Sequence, residues 1–109
     1  MSRIYQPRSL ADILSVSQQN PGTLIVVDCK ATWCGPCKAI HPHIQNMANT
    51  MQHVIFMEVD VDDEDHLATV SAFEVTAMPT FVYMKNGQIL TKTMGANLQV
   101  ITATVNQYA

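Results

Sequence analysis

The sequence has no long apolar run and no excess of positive charge. Nowhere in its 109 residues do about eighteen apolar residues follow one another, so we expect no membrane-spanning helix. The 6 lysine and arginine residues are outnumbered by 9 aspartate and glutamate residues, and the formal net charge is −3. Such a chain lacks the basic surface that binds nucleic acid or an anionic membrane, and we expect neither as a partner.

Signals for export and for a modular chain are also missing. Segment 1–7 contains no apolar stretch suited to a signal peptide, which favours a cytoplasmic location. The three cysteines are an odd number and fit a secreted disulfide framework poorly. Because no repeat, low-complexity tract or Gly/Ser-rich linker divides the chain, we expect one domain over residues 1–109.

Strand-like and helix-like segments alternate along the chain. The apolar run 23–29 is rich in Val and Ile, as in a strand buried on both faces. Segment 34–51 carries apolar residues on one helical face. The other predicted elements are strands near 3–5 and over 54–61, 80–85 and 88–94, and helices from residue 10 to Asn20-Pro21-Gly22, over 62–73 and over 98–108.

This order predicts an α/β protein with a mixed sheet. Alternating strands and helices indicate parallel pairing in the first part of the chain. Asn86-Gly87 between the last two strands is typical of a two-residue hairpin, which makes that pair antiparallel. We therefore expect a central sheet of four to five strands with helices on both faces.

The segment Trp33-Cys34-Gly35-Pro36-Cys37 lies where the predicted buried strand meets the next helix. Two cysteines three positions apart in one helical turn can form a disulfide, and Pro36 suits a first helical turn, where its missing N–H costs nothing. Gly35 leaves room for the backbone of another chain. A helix N-terminus favours the thiolate of Cys34, the attacking species in thiol–disulfide exchange. Cys37, one turn further in, is expected to be buried and to resolve the intermediate.

A Cys-x-x-Cys pair can also be half of a zinc or iron–sulfur site. The further ligands available are His41, His43, His53 and His66. None of them forms a second ligand pair at a usual spacing, and there is no second Cys-x-x-Cys. We therefore expect no metal.

The residues alone do not decide the environment of Asp28 or the isomer of the bond before Pro79. If the buried strand continues through Asp28, burial raises the pKa of its carboxyl and suits it to take a proton from Cys37. If the strand ends there, Asp28 is a solvated loop residue. The bond between Met78 and Pro79, at the start of a strand, can be trans or cis.

Six motifs occur together and in this order: Asp28, Trp33-Cys34-Gly35-Pro36-Cys37-Lys38, Pro42, Met78-Pro79-Thr80, Asn86-Gly87 and Gly95. By these motifs the chain resembles the thioredoxin family over nearly its whole length. Its eukaryotic branch is resembled more than the bacterial one by three segments: Val59-Asp60-Val61-Asp62-Asp63, Ala77-Met78-Pro79-Thr80 and Gly95-Ala96-Asn97. The resemblance implies the thioredoxin fold. It also implies a protein-disulfide oxidoreductase that acts as an electron donor.

The resemblance further implies roles for individual residues. Asp28 matches the buried acid–base residue of the family, and Pro79 matches its cis-proline, which turns the backbone of Met78 toward a bound substrate strand. The flat apolar surface around Cys34 is implied to consist of Trp33, Pro36, Met78 and Ala96. Related folds with His before the second cysteine tend to be oxidants or isomerases, so the Gly-Pro spacer favours a reducing role.

The resemblance implies no cofactor in the chain itself. The redox group is the Cys34–Cys37 pair, and NADPH and FAD belong to the partner, a thioredoxin reductase. Implied substrates are disulfide-containing proteins such as peroxiredoxins and ribonucleotide reductases, with a monomer or weak dimer as the expected state. Two other functions stay open: a binding module that docks without turnover, and a carrier of an iron–sulfur centre between two chains. The dithiol together with Asp28 and Pro79 favours the reductant.

Four positions depart from the family pattern: Cys29, Lys30, His41 and Glu58. The side chain of Cys29 should point away from Asp28 by strand alternation, as a small buried hydrophobe and not a third redox partner. His41, one turn after Cys37, is expected to be a solvated helix residue, although a cation there could stabilise a thiolate. Glu58 stands where bacterial relatives carry lysine, and close to Asp28 it would raise a carboxyl pKa.

Overall fold

A computed structural model describes residues 3–109 of the chain. Within that range, strands and helices follow one another in the predicted order. The helices are α1 Leu10–Gln19, α2 Gly35–Thr50, α3 Leu67–Ala72 and α4 Leu98–Tyr108, and the strands are β1 Ile25–Lys30, β2 Ile55–Asp60, β3 Thr80–Lys85 and β4 Gln88–Met94. The helix predicted over 62–73 is divided: a 3₁₀ turn, Glu64–His66, precedes α3, and the side chain of Asp63 caps it by accepting the backbone N–H of Asp65.

The sheet has the order β2-β1-β3-β4. β1 pairs in parallel with β2 and antiparallel with β3, so the predicted mixed sheet is confirmed. The predicted strand near 3–5 is reduced to a single parallel bridge between Tyr5 and Met57. Pro7 follows closely and has no N–H with which to extend the ladder. The sheet of the described chain is therefore four-stranded.

The β3–β4 hairpin turns at the predicted dipeptide. Asn86 and Gly87 both have positive φ, 55° and 75°. Two successive residues in the left-handed region match the twist of the flanking strands, which is why Asn-Gly favours this turn.

Both faces of the sheet are covered by helices, and the alternation of β1 assigns its residues to the two cores. Leu24 and Val26 pack with residues of α2 and α4, whereas Ile25, Val27 and Cys29 pack on the opposite side with residues of α1. Because β1 is central, it is apolar on both faces, as its sequence predicts. Asp28 is the exception and belongs to the face that carries α2.

Helix α2 presents its first turn to the end of β1. Ile40, Ile44 and Met47 are buried and Met51 packs against the same core, which confirms the predicted apolar face. Pro42 lies within the helix on its exposed side. A proline there costs about 3 kcal/mol, and three buried side chains at about 1.5–3 kcal/mol each outweigh it. In residues 3–109 no helix combines the length and the apolar character needed to cross a membrane.

Candidate active site

Cys34 and Cys37 form a disulfide at the N-terminus of α2, with their Cα atoms 5.3 Å apart. Cys34 is the N-cap residue, and its Sγ accepts a hydrogen bond from the backbone N–H of Cys37 at 3.1 Å. The side chain of Cys37 is 2% exposed and that of Cys34 is 5% exposed. Pro36 occupies the first turn, as predicted. In the reduced chain the same N–H and the helix dipole favour negative charge on the sulfur of Cys34.

The surroundings of the pair are apolar. Ala31 is buried against both cysteines, and Val61 and Met78 pack on the same cluster. The bond between Met78 and Pro79 is cis, as the resemblance implies. The carbonyl of Pro79 accepts the backbone N–H of Gly95 at 2.8 Å, which ties the segment before Ala96 to this edge of the site.

The residues that the resemblance assigns to substrate binding are mostly exposed. Trp33 is 65% exposed, Gly35, Pro36 and Ala96 are exposed, Met78 is partly exposed, and Pro79 is buried. Outside its chain neighbours and its own helix backbone, no heavy atom lies within 4 Å of the position that a Cβ atom would take at Gly35, so the space beside this residue is open. The backbone of an approaching chain could therefore come close to Gly35, next to Cys34.

Sequence reasoning missed the residue that orients Trp33. The indole Nε1–H donates to Oδ2 of Asp62 at 2.8 Å. These residues are 29 positions apart in the chain, and no local pattern links them. A charge-assisted hydrogen bond of this kind fixes the plane of an otherwise exposed ring.

Asp28 is a buried residue inside β1, only 2% exposed. The alternative of a solvated loop residue is therefore wrong. Its Oδ1 atom is buried and has no hydrogen-bond partner among the described residues. Burial is the main cause that raises the pKa of this carboxyl to about 7; the charge of Glu58 raises it further and that of Lys30 opposes the rise. A carboxyl with such a pKa can exchange a proton near neutral pH.

Behind the cysteine pair lies a partly open cavity of about 330 Å³. Its lining residues are Lys30, Ala31, Thr32, Cys37, Lys38, His41 and Asp60. Next to it, Lys30 Nζ donates to Glu58 Oε2 at 2.9 Å, and Gln6 Nε2 donates to Glu58 Oε1 at 2.9 Å. The sequence analysis indicated the effect of Glu58 on Asp28, which is confirmed, but not the contacts of Glu58 with Lys30 and Gln6, because these residues come from separate segments of the chain.

His41 differs from its expectation. Its side chain is 30% exposed and its Nδ1 atom is buried, 3.8 Å from Oε2 of Glu58. The expectation of a solvated helix residue is therefore wrong for this atom. The reason is that α2 packs across β1 and β2 and places this turn of the helix over the Lys30–Glu58 pair.

Cys29 is a free, fully buried cysteine, as expected. It packs with Ile25 and Val27 on the sheet face opposite to the one that carries α2. Burial, with a smaller contribution from the charge of Asp28, raises the pKa of its thiol to about 12. Such a thiol is a poor nucleophile near neutral pH.

Among the His, Cys, Asp and Glu side chains of residues 3–109, no group of three or more is placed to hold one metal ion.

Comparisons with known proteins agree with this geometry. Residues 14–107 match the family model described as Thioredoxin. The thioredoxin of Homo sapiens is 48% identical over 84 residues, which cover 77% of this chain and 78% of the human protein. The solved structure of Fasciola hepatica thioredoxin matches with a TM-score of 0.92 at 36% identity, covering 97% of this chain and 100% of that chain. Another match comes from a structure that concerns the thiol-resolving mechanism of a yeast mitochondrial 1-Cys peroxiredoxin via glutathione/thioredoxin systems. Its TM-score is 0.87 at 34% identity, and the match covers 98% of this chain and 99% of that one.

Proposed function

The chain belongs to the thioredoxin family and is a protein-disulfide oxidoreductase, and we propose that Cys34, Cys37 and Asp28 divide its reaction among them. The observation that carries this proposal is the Cys34–Cys37 disulfide at the N-terminus of α2, on the sheet face where Asp28 is buried. The pair as described is the oxidised state of the chain. Its reduced state is the electron donor.

In the proposed reaction the Cys34 thiolate attacks one sulfur of a substrate disulfide. The first substrate thiolate leaves, and a mixed disulfide joins Cys34 to the substrate. Cys37 then loses its proton to Asp28 and attacks Cys34 Sγ, which releases the second substrate thiolate. The substrate has gained two electrons and the chain has formed the Cys34–Cys37 disulfide, so the exchange balances.

The proposed docking surface is the set of residues assigned to substrate binding. It consists of Trp33, Gly35, Pro36, Met78, Pro79 and Ala96, of which all but the buried Pro79 are exposed or partly exposed. The openness in front of Gly35 supports close approach of a substrate backbone. The backbone of Met78 would pair with an extended substrate segment, as strand addition pairs a peptide with an exposed edge.

Partners follow from the same proposal. A thioredoxin reductase, which carries FAD and uses NADPH, would return two electrons to the pair, so the chain needs no cofactor of its own. Peroxiredoxin-like and ribonucleotide-reductase-like proteins are proposed substrates; the yeast structure named above supports the first class by its subject. We place the protein in the cytoplasm, as one thioredoxin domain over residues 1–109 that is a monomer or weak dimer.

The decisive experiment measures reduction of insulin disulfides with NADPH and a thioredoxin reductase. The wild type should turn over, Cys34→Ser should not, and Cys37→Ser should accumulate a mixed disulfide visible on non-reducing electrophoresis. Cys29→Ala is the matched cysteine control and should keep full turnover. Absence of turnover by the wild type would overturn the reductant function, and absence of the adduct with Cys37→Ser would overturn the assigned roles.

A further inference from the structure

A polar cluster that the proposed reaction does not use lies beside Asp28. Glu58 is the register partner of Asp28 across the β1–β2 pair, and Lys30 is two residues further along β1. Parallel strand geometry directs these three side chains to one face of the sheet. Lys30 and Glu58 are also the two charges that act on the carboxyl of Asp28, with opposite sign.

His41 joins this cluster from the helix above. Its Nδ1 atom has no hydrogen-bond partner among the described residues and lies 3.8 Å from Glu58 Oε2. That distance is about 1 Å longer than a charge-assisted hydrogen bond between imidazolium and carboxylate. His41 also lines the cavity behind Cys37, so the ring has room to close the gap.

Glu58 can bind a second cation besides Lys30. Its Oε1 accepts from Gln6, and its Oε2 accepts from Lys30. A carboxylate offers about four acceptor positions, so Oε2 can bind Lys30 and a protonated His41 together. The side chain of Glu58 is only 13% exposed, and an added charge there is screened less than at an open surface.

We propose that His41 is a positioning residue that sets, through Glu58, the electrostatic environment of Asp28 and thereby the pH range in which Asp28 can take the proton of Cys37. On protonation the imidazolium binds Glu58 Oε2 and offsets the negative charge beside Asp28. Since the proton transfer is part of the proposed reaction, the significance of this coupling rests on the proposed function.

The direction of the effect follows from the charges facing His41. Glu58 and Asp60 face it from β2, Lys30 from β1 and Lys38 from α2 itself. Among these residue types, histidine is the one whose charge ordinarily changes within about pH 5–8. A cation at position 41 favours ionised Asp28, and its removal favours the protonated form.

The test is the titration of Asp28 in the oxidised protein, followed by ¹³C NMR of its side-chain carboxyl and assigned with Asp28→Asn. His41→Gln should move the midpoint upward and His41→Lys, a permanent cation, should move it downward, each by roughly half a pH unit. His43→Gln is the matched control, because His43 lies on the same helix and is exposed. Its midpoint should equal that of the wild type.

A second pair of variants tests the route. If His41 acts through Glu58, the shift caused by His41→Gln should largely disappear in the Glu58→Gln background. An undiminished shift would show a direct effect and overturn the positioning role, and midpoints of His41→Gln and His41→Lys equal to that of the wild type would overturn the coupling. Should His41→Gln fail to fold, the sign of the shift in His41→Lys decides. Because the titration needs no turnover, failure of this coupling is distinct from failure of the insulin assay.

Discussion

The backbone N–H of Cys37 points at the sulfur of Cys34, 3.1 Å away. Cys34 therefore caps the helix by accepting the backbone N–H of Cys37. The interaction binds an electron-rich sulfur in the disulfide and is set to bind a thiolate more strongly after reduction. The fold thus stabilises a negative charge on the sulfur of Cys34, while Cys37 lies one turn further into the helix.

This arrangement predicts an order of thiol reactivity in the reduced protein. Cys34 should be alkylated by iodoacetamide first, and already at a pH below the range of an ordinary thiol. Peptide mapping by mass spectrometry after short exposures at several pH values measures the order. Alkylation of Cys37 ahead of Cys34 would contradict it.

The pKa of Asp28 predicts a pH-dependent stability. Its carboxyl has a pKa of about 7 in the folded chain against an ordinary value of 3.8, so the folded state keeps a proton that the unfolded state has lost. The contribution to the free energy of unfolding is full below about pH 4 and falls by roughly 4 kcal/mol as the pH rises toward 7. Asp28→Asn cannot ionise and should be the more stable protein at pH 8, with the difference vanishing near pH 4. Urea unfolding at both pH values measures this, and an equal difference at both would refute it.

The same substitution predicts a defect in one chemical step. Asp28→Asn should leave the attack by Cys34 nearly unchanged and slow the attack by Cys37, because the proton of Cys37 has lost its acceptor. General bases contribute about 10²–10⁴-fold, and a slowing of at least about tenfold is expected at pH 7. Stopped-flow reduction of a fluorescent disulfide peptide separates the two steps. Equal rates of resolution for variant and wild type would remove Asp28 from the reaction.

The hydrogen bond between Trp33 and Asp62 predicts a binding effect. Asp62→Ala frees the indole ring and should raise KM for insulin several-fold with kcat unchanged, since only docking is affected. The free energy of unfolding should change by less than about 1 kcal/mol, because both side chains are exposed. Glu64→Ala, an exposed acid two residues further on, is the control. A fall in kcat for Asp62→Ala would point to chemistry instead of docking.

Substitution of Cys29 should change the stability of the protein but not its redox activity. Cys29→Ser places a hydroxyl among apolar side chains and should lower the free energy of unfolding by about 1–3 kcal/mol. Cys29→Ala, which adds no polar atom, distinguishes the cost of the hydroxyl from that of lost packing. Insulin turnover should be retained in both. A thiol titration should find two reactive cysteines in the folded, reduced wild type and three after denaturation.

Local patterns in the sequence determined the element order, the Asn86-Gly87 hairpin, the apolar face of α2 and the position of the cysteine pair at a helix N-terminus. These features depend on residues near one another in the chain, where periodicity and capping act. The opposite orientation of Cys29 and Asp28 follows from the same local alternation along one strand.

Tertiary structure alone decided what lies around the cysteines. Whether Asp28 was buried depended on how far β1 extends in the sheet, and whether His41 was solvated depended on the two strands beneath it. The Trp33–Asp62 hydrogen bond and the Lys30–Glu58 pair, which join residues 29 and 28 positions apart, leave no local trace in the sequence. The sequence by itself placed the two sulfurs at the helix N-terminus. The packing of β1, β2 and α2 set the charges around them. The reason is that the electrostatic environment of a group depends on its distances in space and on its burial, and only the folded chain defines these.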